Sequence, residues 1–288
     1  MNRGLRCEGW LFLPDTAKKP PVVVMAHGFG GLRNYRLPAF AERFVQQGLA
    51  VYLFEYRNFG DSEGEPRNWI SPRRHLQDWR AAIAHVRTLP NVDGGRMALW
   101  GTSFSGGHVI VTAARVPGIR AIVSQVPFVD GIASISLIPL RSVIAGFIHG
   151  LRDLVRMITF RRPHLIPIVG DATLGVFGAL NAPDCREGVL AIVPEGAPFT
   201  NECPARICLT LVQYRPIRYA KKIPCPALFI IAERDSLIPA KAVRTTVARV
   251  SNAQSVELDA GHFEVYVGDL FEKVVAIEAN FLAKHLLA

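Results

Sequence analysis

Apolar runs rich in β-branched residues recur along the chain, and turn-forming residues separate them. Residues 22–26 and 50–54 form unbroken apolar runs, which are typical of parallel strands covered on both faces. Further strands are predicted at residues 6–13, 96–100, 119–123, 227–232 and 255–258. Segments with a helical spacing of apolar residues alternate with these strands, at residues 37–47, 71–89, 107–115, 239–250 and 269–287.

This alternation predicts an α/β fold, with a mostly parallel, doubly wound sheet and helices on both faces. It stops between residues 128 and 222, in a segment of helical pattern with several prolines and no convincing strand. We therefore expect a core made of residues 1–127 and 223–288, with residues 128–222 inserted as a mainly helical cap. An apolar stretch in this cap, residues 132–148, is interrupted by a proline and an arginine. It is shorter than the ~20 residues of a membrane span and is predicted to be a buried or ligand-facing helix.

A glycine-rich turn joins a predicted strand to a predicted helix at Gly101-Thr102-Ser103-Phe104-Ser105-Gly106. In this context a G-x-S-x-G turn exposes a serine hydroxyl on a strained backbone. The residues two before and two after the serine come close together, so both must be small, and here they are Gly101 and Ser105. Gly106 completes the supporting turn. Ser103 is the predicted nucleophile, and the alternative is a helix N-cap with Ser103 as the capping residue.

A serine nucleophile needs a base within hydrogen-bond reach and a third group that orients the base. Asp235 and His262 each follow a predicted strand near the C-terminus. Because the carboxyl ends of parallel strands meet at one edge of a sheet, both side chains can converge on Ser103 there. We predict His262 as the base and Asp235 as the orienting acid. Asp130, after an earlier strand, is the reserve acid.

The first predicted central strand is followed by the loop His27-Gly28-Phe29-Gly30-Gly31. A tetrahedral intermediate needs backbone N–H donors for its negatively charged oxygen, and a loop at this sheet edge can supply one of them. We predict that the amides of Phe29 and Phe104 form this oxyanion hole, with Gly28 in the supporting turn.

The same loop also imitates a dinucleotide-binding fingerprint, since Glu55 follows the next predicted strand. Two details argue against that interpretation. Arg33 occupies the third glycine position, and the next helix is predicted to begin only near residue 37. No helix N-terminus would then face a pyrophosphate.

The formal net charge of +9 could attract nucleic acid, an anionic membrane or an acidic substrate carrier. The basic residues are scattered and are not interleaved with aromatic residues, so a solvated surface is favoured and nucleic acid is not a predicted partner. The five cysteines include no C-x-x-C pair, and H-E-x-x-H is absent from the sequence. We therefore predict no metal and no cofactor, and a reducing cytoplasm as the location. The N-terminus shows no export signal.

Several motifs together resemble the α/β-hydrolase superfamily in order and approximate spacing. They are the HGFGG loop, residues 56–64 (YRNFGDSEG), the turn at Ser103, residues 233–239 and Gly261-His262. Residues 199–206 (FTNECPAR) and 214–216 (YRP) are similar to a subgroup with fungal polyketide transferases and bacterial acetyl-xylan-esterase-like or peptidase-like hydrolases. The superfamily implies acyl transfer through an acyl-serine, and the subgroup allows water or another nucleophile as the acceptor.

The expected activity is therefore hydrolysis of a carboxylic ester or thioester through an acyl-enzyme on Ser103. An acyltransferase that uses the same triad and a hydrolase of short peptides are the alternatives within the enzyme class. A non-catalytic binding protein on this scaffold is a further alternative. The expected partner is a small-molecule acyl substrate, either free or bound to a carrier. A homodimer is left open.

Overall fold

The computed structural model describes residues 4–16, 18–171, 174–197 and 199–288. The strands in these ranges are β1 (Gly9–Phe12), β2 (Pro21–Ala26), β3 (Ala50–Phe54), β4 (Asp93–Thr102), β5 (Ile119–Gln125), β6 (Leu165–Ile166), β7 (Cys203–Pro204), β8 (Ala227–Ala232) and β9 (Ala253–Leu258). One sheet has the order β1-β3-β2-β4-β5-β8-β9, and β1 is antiparallel to β3 while the other neighbours are parallel. The predicted α/β class with a mostly parallel sheet is confirmed.

Helices cover both faces of this sheet. Their bounds are α1 (Leu37–Gln46), α2 (Pro72–Val86), α3 (Phe104–Ala113), α4 (Gly131–Ile135), α5 (Leu140–Ile158), α6 (Cys185–Ile192), α7 (Ile207–Thr210), α8 (Ala240–Val247) and α9 (Gly268–Leu286). Val23 and Met25 of β2 belong to the same buried cluster as Phe40 of α1 and residues of α9. Val22 and Val24, which alternate with them, belong to a second cluster with α2, α3 and α8. The unbroken apolar run of β2 thus reflects a strand covered on both faces.

The differences from the predicted elements lie at the edges of the sheet and in the segment between β5 and β8. The strand predicted at residues 6–13 is limited to the four residues of β1, which pair with β3. The segment predicted without strands contains β6 and β7, two residues each, paired antiparallel to one another. So short a pair has no periodicity that a sequence pattern can reveal.

Residues 132–148, predicted as a buried or ligand-facing helix, are not buried over most of this stretch. It forms α4 and the first half of α5, and many of its large apolar side chains are exposed. The cause is the contact face of α5, which consists of Gly146, Gly150 and Asp153 rather than its apolar residues. The start of α5 does line a cavity that reaches Ser103, as described below.

No helix among the described residues has the length and apolar character needed to cross a membrane. The described cysteines are free thiols. Within the same residues, no group of three or more histidine, cysteine or acidic side chains is arranged to hold a metal ion.

A buried carboxyl on α9 makes stability depend on pH. Trp100 Nε1–H donates a hydrogen bond to Glu278 Oε2 (2.8 Å), and burial raises the pKa of this carboxyl from 4.5 to about 8. Between these pH values the folded chain retains a proton that the unfolded chain releases, so the free energy of unfolding falls as pH rises. In the wild-type chain this fall amounts to up to about 1.4 kcal/mol per pH unit. We expect it to be absent in Glu278→Gln. Urea unfolding at pH 5 to 8 measures this pH dependence. Glu42→Gln, at an exposed position, is the control. Parallel curves for wild type and Glu278→Gln would contradict the assignment.

Candidate active site

Ser103 lies at the junction of β4 and α3 with a backbone conformation that few side chains adopt. Its φ is 56° and its ψ is −118°. A Cβ atom on Gly101 would overlap the carbonyl oxygen of Ser105, so the turn requires glycine at this position. A Cβ on Gly106 would lie 2.8 Å from Pro127 Cβ, which also favours glycine. The turn thus holds the Ser103 hydroxyl at the carboxyl edge of the sheet, as a nucleophile turn does.

The structure brings together the three side chains that were predicted as a triad. His262 Nε2 lies 3.0 Å from Ser103 Oγ, and His262 Nδ1 lies 2.7 Å from Asp235 Oδ2. Ser103, Asp235 and His262 follow β4, β8 and β9, so all three lie beyond the carboxyl ends of parallel strands. The imidazole and the carboxylate are both almost fully buried, which protects their hydrogen bond from competing water.

The other carboxylate oxygen of Asp235 fixes its orientation. Asp235 Oδ1 accepts hydrogen bonds from the backbone N–H groups of Leu237 and Ile238, each at 2.8 Å. Oδ2 is therefore left for His262. Asp130, the reserve acid, is used elsewhere: it caps α4 and forms a two-pronged ion pair with Arg215, with both N–O distances 2.7 Å.

The loop after β2 packs directly against the nucleophile. A Cβ on Gly28 would lie 3.0 Å from Ser103 Cβ and 3.4 Å from its Oγ, so only glycine leaves room for a carbonyl group there. Burial lowers the pKa of His27 to about 4, which makes its imidazole neutral at pH 7. His27 Nδ1–H can then donate to the carbonyl oxygen of Gly28 at 3.0 Å and brace the loop. The rings of Phe29 and Phe104 meet edge to face, with centroids 5.4 Å apart.

The dinucleotide interpretation does not fit this loop. Glu55 is buried and accepts a hydrogen bond from the backbone N–H of Arg33 at 2.9 Å. It also lies 3.5 Å from His27 Nε2. Its role here is to support the turn, so it is not available for a ribose hydroxyl.

Two hydrogen bonds near Ser103 were not predicted from the sequence. Ser105, which replaces the second glycine of the usual motif, is completely buried, and its hydroxyl bonds to that of Tyr56. Thr102 bonds to the hydroxyl of Tyr266, four residues after the histidine, and so links the two loops. The serine at position 105 was a signal that a polar partner lies nearby, but only the fold identifies Tyr56.

Two adjoining spaces are lined by Ser103. A narrow cleft of about 50 Å³ also contacts His262, Phe263 and residues of the loop after β2. A larger cavity, about 650 Å³, extends from Ser103 beneath the segment between β5 and β8. Its lining is mainly apolar and includes Phe104, Phe128, Leu137, Ile138, Phe177 and Leu211. Phe29, Leu180 and Leu237 also line both spaces, so the cleft and the cavity adjoin at Ser103.

Comparison with known proteins shows the family of the chain. The model of the X-Pro dipeptidyl-peptidase (S15) family matches residues 4–163, more than half of the chain. The chain belongs to this family. A quorum-quenching protein of Acinetobacter baumannii, AidA, is 40% identical over 98% of this chain and 92% of its own length. The thiohydrolase AneE of Aspergillus aculeatus is 28% identical over 97% of this chain and 89% of its own length.

A solved structure shows the same fold. The crystal structure of the α/β-hydrolase GrgF from Penicillium sp. superposes with a TM-score of 0.85 and 23% identity, over 99% of this chain and 96% of that one. A Penicillium polyketide transferase named GrgF is 24% identical over 98% of this chain and 94% of its own length. The protein is thus an α/β-hydrolase enzyme, and the predicted class, a serine hydrolase or an acyltransferase on the same fold, is confirmed.

Proposed function

We propose that the protein hydrolyses a carboxylic ester or thioester of an apolar acyl group through an acyl-enzyme on Ser103. The observation that carries this proposal is the continuous chain of hydrogen bonds from Asp235 through His262 to Ser103. Ser103, at the end of this chain, lines an apolar cavity. In this arrangement Ser103 is the nucleophile, His262 is the base and Asp235 orients the base.

In the first half of the reaction, His262 Nε2 takes the proton of Ser103 as Oγ forms a bond to the carbonyl carbon. The carbonyl oxygen becomes negatively charged, and the amides of Phe29 and Phe104 donate hydrogen bonds to it. The intermediate then collapses, the bond to the leaving oxygen or sulfur breaks, and that atom receives the proton from His262.

In the second half, water approaches the acyl-serine and gives a proton to His262. The resulting oxygen nucleophile forms a bond to the carbonyl carbon, and Ser103 leaves with the proton returned by His262. Asp235 keeps Nδ1 protonated throughout, so that Nε2 can accept and release the moving proton.

The cavity supports an apolar acyl group as the substrate's larger part. Most of the side chains that line it belong to residues 128–222, which we propose as the cap over the active site. A volume of about 650 Å³ lies within the range of small-molecule sites. The name of the thiohydrolase relative supports a thioester as one substrate class.

An acyltransferase is the second candidate. The narrow cleft that adjoins the larger cavity at Ser103 favours it, because an acyl group can occupy the cavity while an acceptor alcohol or amine approaches through the cleft. The name of the polyketide transferase relative supports the same reaction. Both candidates share the acyl-Ser103 intermediate and differ only in the second nucleophile.

Trapping the acyl group tests the proposal. We expect p-nitrophenyl esters and acyl thioesters of increasing chain length to leave an acyl mass on the peptide that contains Ser103, detected by mass spectrometry after acid quench. A fluorophosphonate should block this labelling. Product analysis with added alcohols or amines then separates free acid from an acylated acceptor. Acylation of any other residue, or turnover that the fluorophosphonate leaves intact, would contradict the assignment.

A further inference from the structure

The exposed side of α5 carries an unusual concentration of large apolar residues. The α5 face, as we call it, consists of Leu140, Ile144, Phe147, Ile148, Leu151, Val155 and Ile158, and all of them are exposed. Their spacing of three, four or seven residues places them along one stripe of the helix. Leu140 is 73% exposed and Ile158 is 62% exposed. The stripe continues past the helix end to Phe160, which is 98% exposed.

The opposite side of α5 fixes the helix so that this stripe cannot turn inward. A Cβ on Gly150 would lie 2.7 Å from Leu209 Cγ, which shows how closely α5 approaches α7. Asp153 is fully buried and accepts hydrogen bonds from the side chain of Arg206 at 2.6 and 3.0 Å and from the backbone N–H of His164 at 2.8 Å. Rolling the helix would leave this carboxylate without its partners, at a high energetic cost.

The charged residues of α5 that lie beside the stripe are all arginines. Residues 131–168 contain five arginines, at positions 141, 152, 156, 161 and 162. The one acidic residue in this range is Asp153, which is buried. Arg141, Arg152 and Arg156 lie along one edge of the stripe, as their positions in the helix require. Among the described residues, no ion pair to these five arginines is found. The face therefore combines exposed apolar groups with uncompensated positive charge.

We propose that the α5 face docks on the surface of an anionic lipid membrane. Apolar side chains on one face with arginines beside them are the combination by which amphipathic helices lie at a lipid interface. A second copy of the chain fits less well, because a two-fold contact would bring the same arginine-bearing face of both copies together. Nucleic acid would match the charge but would leave the apolar stripe in water.

Docking would also place the larger cavity next to the lipid. Leu137, Ile138 and Arg141, at the start of α5 and just before it, line the cavity that reaches Ser103. An acyl chain could thus pass from the lipid to the cavity beside the same helix. Membrane binding itself does not depend on the proposed reaction, so its test needs no substrate.

Flotation with two kinds of vesicle tests the proposal. We expect the protein to bind vesicles of phosphatidylcholine with a quarter phosphatidylglycerol at least 10-fold more tightly than pure phosphatidylcholine, and 0.5 M NaCl to weaken this binding. Ile148→Glu with Leu151→Glu, and separately Arg152→Glu with Arg156→Glu, should each lower binding at least 10-fold. Lys221→Glu with Lys222→Glu, exposed residues away from α5, makes the same change in charge and should retain binding.

A second measurement does not depend on the stability of these variants. Phe147→Trp places a fluorophore on the α5 face, and its emission should shift to the blue with anionic vesicles only. Absence of vesicle binding, or an equal loss in the Lys221 and Lys222 variant, would overturn the proposal. So would a dimer of the wild-type chain in light scattering that the Ile148 and Leu151 variant abolishes while vesicle binding is unaffected.

Discussion

Ser103→Ala is expected to lower kcat for ester and thioester hydrolysis on the order of 10⁶-fold, and to abolish labelling by a fluorophosphonate. The reason is that alanine has no oxygen to form the acyl-enzyme, and a water molecule in its place would lack the orientation that the turn imposes on Oγ. His262 Nε2 would lose its partner at 3.0 Å. Steady-state kinetics with a chromogenic ester, together with intact mass after the probe, measures both effects.

The fold should survive this substitution, because it removes one oxygen atom and leaves Gly101 and the φ of 56° unchanged. Thermal unfolding of the variant provides the check. Ser251→Ala, in an exposed turn after α8, is the matched control and should retain full activity. If Ser103→Ala kept more than about one per cent of the wild-type kcat, another residue would have to be the nucleophile.

The convergence of Ser103, Asp235 and His262 could be predicted because its signals are local. Ser103 and Asp235 follow strands that apolar runs identify, and His262 follows the short predicted strand at residues 255–258. The carboxyl ends of parallel strands meet at one edge. Ser103 has the additional signal of small neighbours in a strand-to-helix turn. The distances among the three side chains could not be predicted, because they depend on the register of β4, β5, β8 and β9.

The contacts around the site could not be predicted from the sequence in the same way. Asp130 and Asp235 both follow strands, and only the position of Arg215 shows that the first is paired elsewhere. Tyr56 and Ser105 are 49 residues apart, and no pattern connects them. Such contacts depend on long-range packing rather than on periodicity.

For residues 132–148 the sequence left a buried and a ligand-facing helix open, because periodicity identifies an apolar stripe but not what covers it. In the structure most large apolar residues of α5 are exposed, whereas Gly146, Gly150 and Asp153 form the contact. Their spacing of four and three residues also places them on one face, and small residues permit close helix approach. A glycine pair on one face of an apolar helix was the signal for the opposite orientation.

Asp235→Asn is the second variant with a large expected effect, a decrease in kcat on the order of 10⁴-fold. Oδ1 accepts two backbone N–H groups, so an asparagine at this position would retain its oxygen there and turn its amide nitrogen towards His262. That nitrogen can only donate, and His262 Nδ1 would have to accept. The imidazole proton would then lie on Nε2, facing Ser103, and the histidine could not act as the base.

Asp130→Asn separates this effect from the general loss of a buried carboxylate. It weakens the ion pair with Arg215 and is expected to lower thermal stability while kcat stays within a few-fold of wild type, since Asp130 has no contact with His262. The kcat values of both variants are compared at a temperature below the unfolding of either one. Equal decreases in kcat would show that Asp235 acts through stability alone, whereas a large decrease in Asp235→Asn only would establish it as the group that orients the base.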